Sequence, residues 1–261
     1  MIKSHLGCDA PELDDLLENL KRDPRTVLHR LDLEPRTRAY ILCPKCFQCY
    51  PEHTKTQRCT FKATPSSQFC DADLFYERVI RGKAQKIPHQ KYLHQDLRSW
   101  IGRFLSRPEI ESALHGDTLV SPDGAMRDIW DGHALREFKD SDGTPFFINH
   151  PTLGRYAFSL NVDGFNPYHM KTAGKQVTVT AIYMVCLSLP FDLRYLVENV
   201  YLAGVIPGAP KPSLQDINKL LTHLVDDLEV LWRTGANYVT SLSPNGRHVR
   251  CALIPVVCDM P

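Results

Sequence analysis

Residues 213–232 read SLQDINKLLTHLVDDLEVLW. Leu214, Ile217, Leu220, Leu221, Leu224, Leu228 and Leu231 recur at three- and four-residue steps, the period of a helix with one apolar face. Ser213, with Asp216 three residues on, supplies an N-cap and its reciprocal acid. The adjacent acids Asp226 and Asp227 read as part of the solvated face. A helix of this length between strand-like segments can carry the chain across a sheet. The strand that follows it can then lie parallel to an earlier one.

Three strand-like segments precede the helix. RYAFSLNVDGF (155–165) ends in Asp163-Gly164, KQVTVTAIYMVCLSL (175–189) is rich in β-branched residues, and NVYLAGVIPG (199–208) is closed by Pro207-Gly208. VRCALIPVVC (249–258) follows the helix as a fourth strand. Short links between the first three predict an antiparallel meander, and the helix returns the fourth to the side of the first. This β-β-β-α-β order resembles the opening of the ribonuclease-H-like fold. In that fold one acid sits on the first strand and another at the end of the fourth, the places held here by Asp163 and Asp259.

Two neighbouring carboxylates stay ionised when a cation lies between them. Hard divalent ions, Mg²⁺ or Mn²⁺, match an all-oxygen donor set. A pair of them about 4 Å apart serves phosphodiester displacement. Taken singly, Asp163-Gly164 also reads as a turn, and Asp259 as an acid on a solvated strand edge. Their joint placement in the strand order supports the metal reading.

The N-terminal half has another character. Residues 11–36 read as two short helices broken at Asp23-Pro24. Five of the nine cysteines, Cys43, Cys46, Cys49, Cys59 and Cys70, fall close together. Cys43-Pro-Lys-Cys46 has the spacing of a zinc knuckle, and Cys59 and Cys70 are the expected third and fourth ligands, with Cys49 and His53 as substitutes. The other reading is a set of reduced cysteines in a loop-rich segment. Few large apolar residues surround them, so a structural metal would supply folding energy.

Residues 89–115 read as helical up to a break at Pro108, and 116–155 as an irregular connector with a helical turn or two around MRDIWDGHALREF (126–138). Trp100, Trp130 and Trp232 are expected core anchors. The chain thus divides into short helices over 1–36, a Cys-rich zinc module over 37–75, a helical segment and connector over 76–155, and a ribonuclease-H-like region over 156–261.

The chain has 261 residues, 43% hydrophobic and 23% charged, with a net charge of +1. That is ordinary for a globular protein, and composition alone carries no nucleic-acid footprint. No apolar run approaches the ~20 residues of a membrane span, and the first residues lack the apolar core of a secretory signal. Local clusters must therefore carry any DNA contact. Arg81, Lys83 and Lys86 lie in a basic run over 75–92, and Lys171 and Lys175 flank Gly174 shortly after Asp163. A solvated face and a flexible turn are the plainer readings of these two patches. Neither is specific enough to define a groove reader.

The strings DGFNP (163–167), VIPGAPKPSLQDIN (205–218) and LIPVVCDMP (253–261) are the most specific in the chain. With YILCPKCFQCYPE (40–52) and KYLHQDLRSWIGRFLSRPEIE (91–111), the whole resembles the CACTA (En/Spm-type) DNA transposases, especially those of mushroom-forming fungi. The resemblance implies a D-D-E triad whose first two acids map onto Asp163 and Asp259. It also implies a Cys-rich segment before the catalytic core, transposon-end DNA as partner, association with full-length transposase or with itself, and a nuclear location. The third acid, a downstream glutamate, has no counterpart here. The chain therefore reads as truncated after the second aspartate and is expected to be inactive alone. The alternative is a non-enzymatic, zinc-containing protein that binds DNA or a transposase.

Overall fold

A computed structural model describes Thr26, Leu28 and residues 34–115, 124–166, 178–208 and 212–258. The helices expected over 11–36 fall almost wholly outside these, as do Lys171, Lys175 and Asp259. The architecture is mixed α+β. Ten strands are described: β1 (Thr37–Leu42), β2 (Cys49–Pro51), β3 (Phe75–Ile80), β4 (Lys83–Pro88), β5 (Gln90–Gln95), β6 (Leu153–Phe165), β7 (Val179–Cys186), β8 (Val200–Ile206), β9 (Ala236–Tyr238) and β10 (Arg247–Cys258). The α-helices are α1 (Leu97–Leu105), α2 (Pro108–His115), α3 (His133–Arg136), α4 (Phe191–Arg194) and α5 (Leu214–Arg233).

Eight strands form one sheet in the order β2-β1-β5-β8-β7-β6-β10-β9, and β3 and β4 form a separate hairpin. β6, β7 and β8 make the expected antiparallel meander. β10 lies parallel beside β6, from His248 opposite Leu153 to Cys258 opposite Val162. Between Leu253 and Val256 the register slips by one residue, a bulge on β10 that holds Pro255. Proline has no N–H to give a ladder, so a bulge is where a strand tolerates it.

α5 begins where its cap was read. Ser213 Oγ accepts from the Asp216 N–H at 3.2 Å, and Asp216 Oδ2 accepts from the Ser213 N–H at 3.1 Å. Its apolar stripe, with Leu220, Leu224, Leu228 and Leu231 buried, packs with Trp100 and Phe104 of α1 in one cluster against Phe158, Met184, Tyr201 and Cys251 of the sheet. Burial of that kind contributes ~1.5–3 kcal/mol per large side chain. On the opposite face Trp130, Leu135, Ala157, Val185 and Leu187 form a smaller cluster. Trp130 donates from Nε1 to the Leu187 carbonyl at 2.8 Å. Trp100 and Trp130 are buried as expected. Trp232 is half-buried, its ring against Phe146 and the Arg250 guanidinium.

Two readings of the sequence need correction. The helix expected over 89–115 begins only at Leu97, because Gln90–Gln95 is a strand. Tyr92 and His94 are buried while Lys91 and Leu93 are exposed, a two-residue alternation that becomes helical only after Asp96 caps α1. β5 pairs with β1 along six residues and meets β8 at His94 opposite Gly204. A Cβ at Gly204 would overlap the Tyr92 ring, so any larger residue here must displace that ring. The second correction is Asp227. It is not on a solvated face but 4% exposed, while its neighbour Asp226 is exposed.

Candidate functional site

The four cysteines singled out by spacing come together. The sulfur atoms of Cys43, Cys46, Cys59 and Cys70 all lie within 4.8 Å of one another. Cys43 and Cys70 are 3.7 Å apart, and Cys46 and Cys59 3.5 Å. Four thiolates about 2.3 Å from a tetrahedral ion sit ~3.8 Å from each other. The group can therefore hold a metal ion with little rearrangement.

Local structure explains both halves of the cluster. Cys43 opens the turn after β1, and its sulfur accepts from the N–H groups of Lys45 at 3.4 Å and Cys46 at 3.5 Å. The knuckle is closed by Phe47, at φ 54°, whose N–H donates to the Cys43 carbonyl. Phe47 is also buried in the main core, which holds that left-handed residue in place. The ten-residue spacer between Cys59 and Cys70 is clamped at its ends. Cys59 donates to the Ala72 carbonyl, Asp71 to Cys59, and Cys70 to Phe61. Backbone pairing thus brings the second pair of thiols together across this spacer.

The crowded thiols shift one another in opposite directions. Hydrogen bonding by the Cys46 side chain, then by the N–H groups of Cys46 and Lys45, pulls Cys43 down to about 5. Its Cys43 neighbour pushes Cys46 up, and burial pushes Cys59 up. Crowded thiols ionise one at a time, and a bound cation would favour the thiolate in all four. Tyr50 adds a contact that spacing did not reveal, donating from its hydroxyl to Cys59 Sγ at 3.3 Å. The substitutes are not needed. Cys49 points to the carbonyls of Phe47 and Lys219, with burial holding its thiol up at about 12, and His53 is exposed outside the group.

A side chain of α5 ties this centre to the sheet. Lys219 donates from Nζ to the Cys46 carbonyl and to Asp216 Oδ1 and lies over the Phe61 ring. One helical face further on, Asp227 accepts from Arg38 Nη2 at 3.0 Å, from His94 Nε2 at 3.3 Å and from the Leu97 N–H at 3.3 Å. Burial alone would raise this carboxyl. The bonds from His94 and Leu97 and the charge of Arg38 outweigh it and hold Asp227 below the usual carboxylate range.

Asp163 stands elsewhere, near the far end of β6. The strand runs past it to Phe165, with Asp163 opposite Ala181 and Gly164 opposite Thr180, so Asp163-Gly164 is ladder and not turn. The alternation of β6 puts Asp163 on the face of Ser159 and Asn161, opposite the face that packs on α5. Its carboxylate is exposed and has no hydrogen bond or ion pair among the described residues. Arg81, Lys83 and Lys86 lie on the β3–β4 hairpin, outside the eight-stranded sheet. Lys86 Nζ donates to Gln57 Oε1 at 3.0 Å.

No helix among the described residues is long and apolar enough to cross a membrane. No curated protein matches the chain. The sequence model of transposase family tnp2 matches residues 123–261, which span β6 to β10 and with them Asp163. That match covers more than half of the chain, and the protein therefore belongs to transposase family tnp2.

Proposed function

We propose that the chain supplies two carboxylates, Asp163 and Asp259, to the Mg²⁺- or Mn²⁺-dependent DNA strand-cleavage and strand-transfer centre of a CACTA (En/Spm-type) transposase with a ribonuclease-H-like core. The observation that carries this reading is the β8-β7-β6-β10 order with β10 parallel to β6. The ladder extends to Val162 opposite Cys258, and the next residue in each segment is an acid. On this reading Asp259, one residue beyond the described ladder, serves beside Asp163. The exposed carboxylate of Asp163, without a partner among the described residues, is available to a cation. A divalent ion bound there supplies stabilisation of the attacking and leaving oxygens. On this reading the chain's own part is to supply negative charge from Asp163 and Asp259.

Zinc is the proposed ion of Cys43, Cys46, Cys59 and Cys70. Four protein sulfurs leave no open position, so its role is structural. Arg81, Lys83 and Lys86, with Lys171 and Lys175, are the proposed DNA contacts. Transposon ends are the partner, with a second copy or a full-length transposase beside them, and the nucleus is the location.

Manganese binding, followed by electron paramagnetic resonance, tests the acids. The chain should bind Mn²⁺, and Asp163→Asn and Asp259→Asn should each lose that binding. Unchanged binding in Asp163→Asn would refute the assignment. Metal analysis tests the cysteines. One zinc per chain is expected, with loss in Cys43→Ser/Cys46→Ser, and a full complement in that variant would exclude the centre.

A further inference from the structure

The β3–β4 hairpin is a ribbon that the fold leaves uncovered. Eight of its twelve strand positions are exposed, so it is not an element of the core. Arg81 and Gly82, at φ 52° and 75°, join the strands in the left-handed two-residue turn whose twist matches paired strands. Its charges are four cations, Arg78, Arg81, Lys83 and Lys86, against the single carboxylate of Glu77.

Register sorts its side chains onto two faces, since residues directly opposite share a face. One face carries Phe75, Glu77 and Val79 with Ala84, Lys86 and Pro88. It turns toward the protein body at its base, where Phe75 packs beside Leu74 and Lys86 reaches Gln57. The other face carries Tyr76, Arg78 and Ile80 with Lys83, Gln85 and Ile87. Arg78 lies directly opposite Gln85, and Ile80 opposite Lys83. Among the described residues the side chains of Arg78, Lys83 and Gln85 have no hydrogen bond or ion pair.

We propose that this ribbon enters the major groove of duplex DNA with the Arg78–Gln85 face inward and reads base edges there. The inference rests on the DNA-transposase reading above and gives it a sequence reader. Two strands ~4.8 Å apart and ~20 Å long fit a groove ~12 Å wide that admits a two-stranded ribbon. Arg78 has the donor fork for guanine O6 and N7, and Gln85 the donor and acceptor for adenine N7 and N6. Set opposite each other, they address adjacent base pairs. Arg81 at the tip and Lys83 beside it reach the flanking phosphates, where charge gives affinity without sequence preference. Lys86, on the other face, makes no base contact. A-form RNA closes its major groove to side chains, so the ribbon selects DNA.

The test uses the zinc-loaded chain, no other divalent metal, and a pool of duplex DNA with a randomised centre. Selection should enrich a short motif with adjacent guanine and adenine. Arg78→Ala should erase the guanine preference and weaken binding to the selected duplex by roughly 5- to 150-fold. Lys83→Ala should weaken all sequences alike and lower the salt slope by about one. Arg78 is an exposed hairpin residue, and an unchanged circular dichroism spectrum of the variant secures its fold. The proposal is overturned if Arg78→Ala/Gln85→Ala keeps both motif and affinity, if no duplex binds, or if an RNA duplex of the same sequence binds as tightly. The catalytic reading stands or falls separately. Loss of the motif in Arg78→Ala with Mn²⁺ binding untouched by Asp163→Asn would keep the ribbon and remove the acid site.

Discussion

Replacing Asp227 by alanine should be among the most damaging single changes in the chain. The carboxylate is 4% exposed and serves three donors on two distant segments. Without it, His94 Nε2 and the Leu97 N–H are left buried and unpaired. Each orphaned donor costs ~1–3 kcal/mol, together about 2–6 kcal/mol. Arg38 adds little, because 45% of its side chain is exposed and Asp96 Oδ2 remains beside it at 2.8 Å. The better helix propensity of alanine returns a few tenths of a kcal/mol. At ~2–4 °C per kcal/mol for a chain of this size, a loss near 4 kcal/mol lowers Tm by about 8–16 °C. Differential scanning calorimetry of Asp227→Ala against Asp226→Ala is the assay. The exposed neighbour should leave Tm unchanged within a degree or two. The pH dependence adds a check of sign. Asp227 is depressed in the fold, so its contribution is complete above the unfolded value of ~3.9 and is lost as pH falls through its lower native value. The gap between wild type and Asp227→Ala should be flat near neutrality and close below about pH 4. Equal Tm values for the two alanine variants would refute the buried-network argument.

Two further outcomes follow from the packing. Arg250 holds Asp140 down at about 2, so the acid limb of the stability curve, between about pH 4 and about 2, should be less steep in Asp140→Asn than in wild type by urea unfolding. A side chain at 204 must displace the Tyr92 ring from between β5 and β8, so Gly204→Ala should destabilise by ~1–3 kcal/mol, whereas Gly82→Asn in the exposed hairpin turn should be near neutral.

The C-terminal strand order and α5 were legible because each segment has one clear period and clear punctuation. Ser213 and Asp216 mark the start of α5, and six of the seven stripe residues mark its inward face, four of them buried, while Leu214 at its start is exposed. The cysteine ligands were legible as residue types, but the route from Cys59 to Cys70 was not. It depends on backbone pairing that spacing does not encode. β5 was misread because Tyr92 and Leu93, followed by Leu97, fit a helical repeat as well as a strand. What settled it was pairing with β1 and β8, partners about 50 residues before it and 110 after. The β3–β4 hairpin was hidden behind its charges, although Arg81-Gly82 marks the turn. Asp227 looked solvated because its partners, Arg38 and His94, are 189 and 133 residues away.

That 189-residue span sets a schedule for synthesis. At ~5–20 residues per second, about 10–40 s separate the emergence of Arg38 from that of Asp227. During this interval β1 and β5 can pair with each other, but β5 still lacks β8 and both strands lack the helix that covers them. Exposed edges of this kind recruit other chains. The four thiols, all made by residue 70, are in place well before β8 and can close around an ion while the ribosome is still at work. The metal centre would then act as an early clasp that keeps the N-terminal strands in register until the sheet they belong to exists.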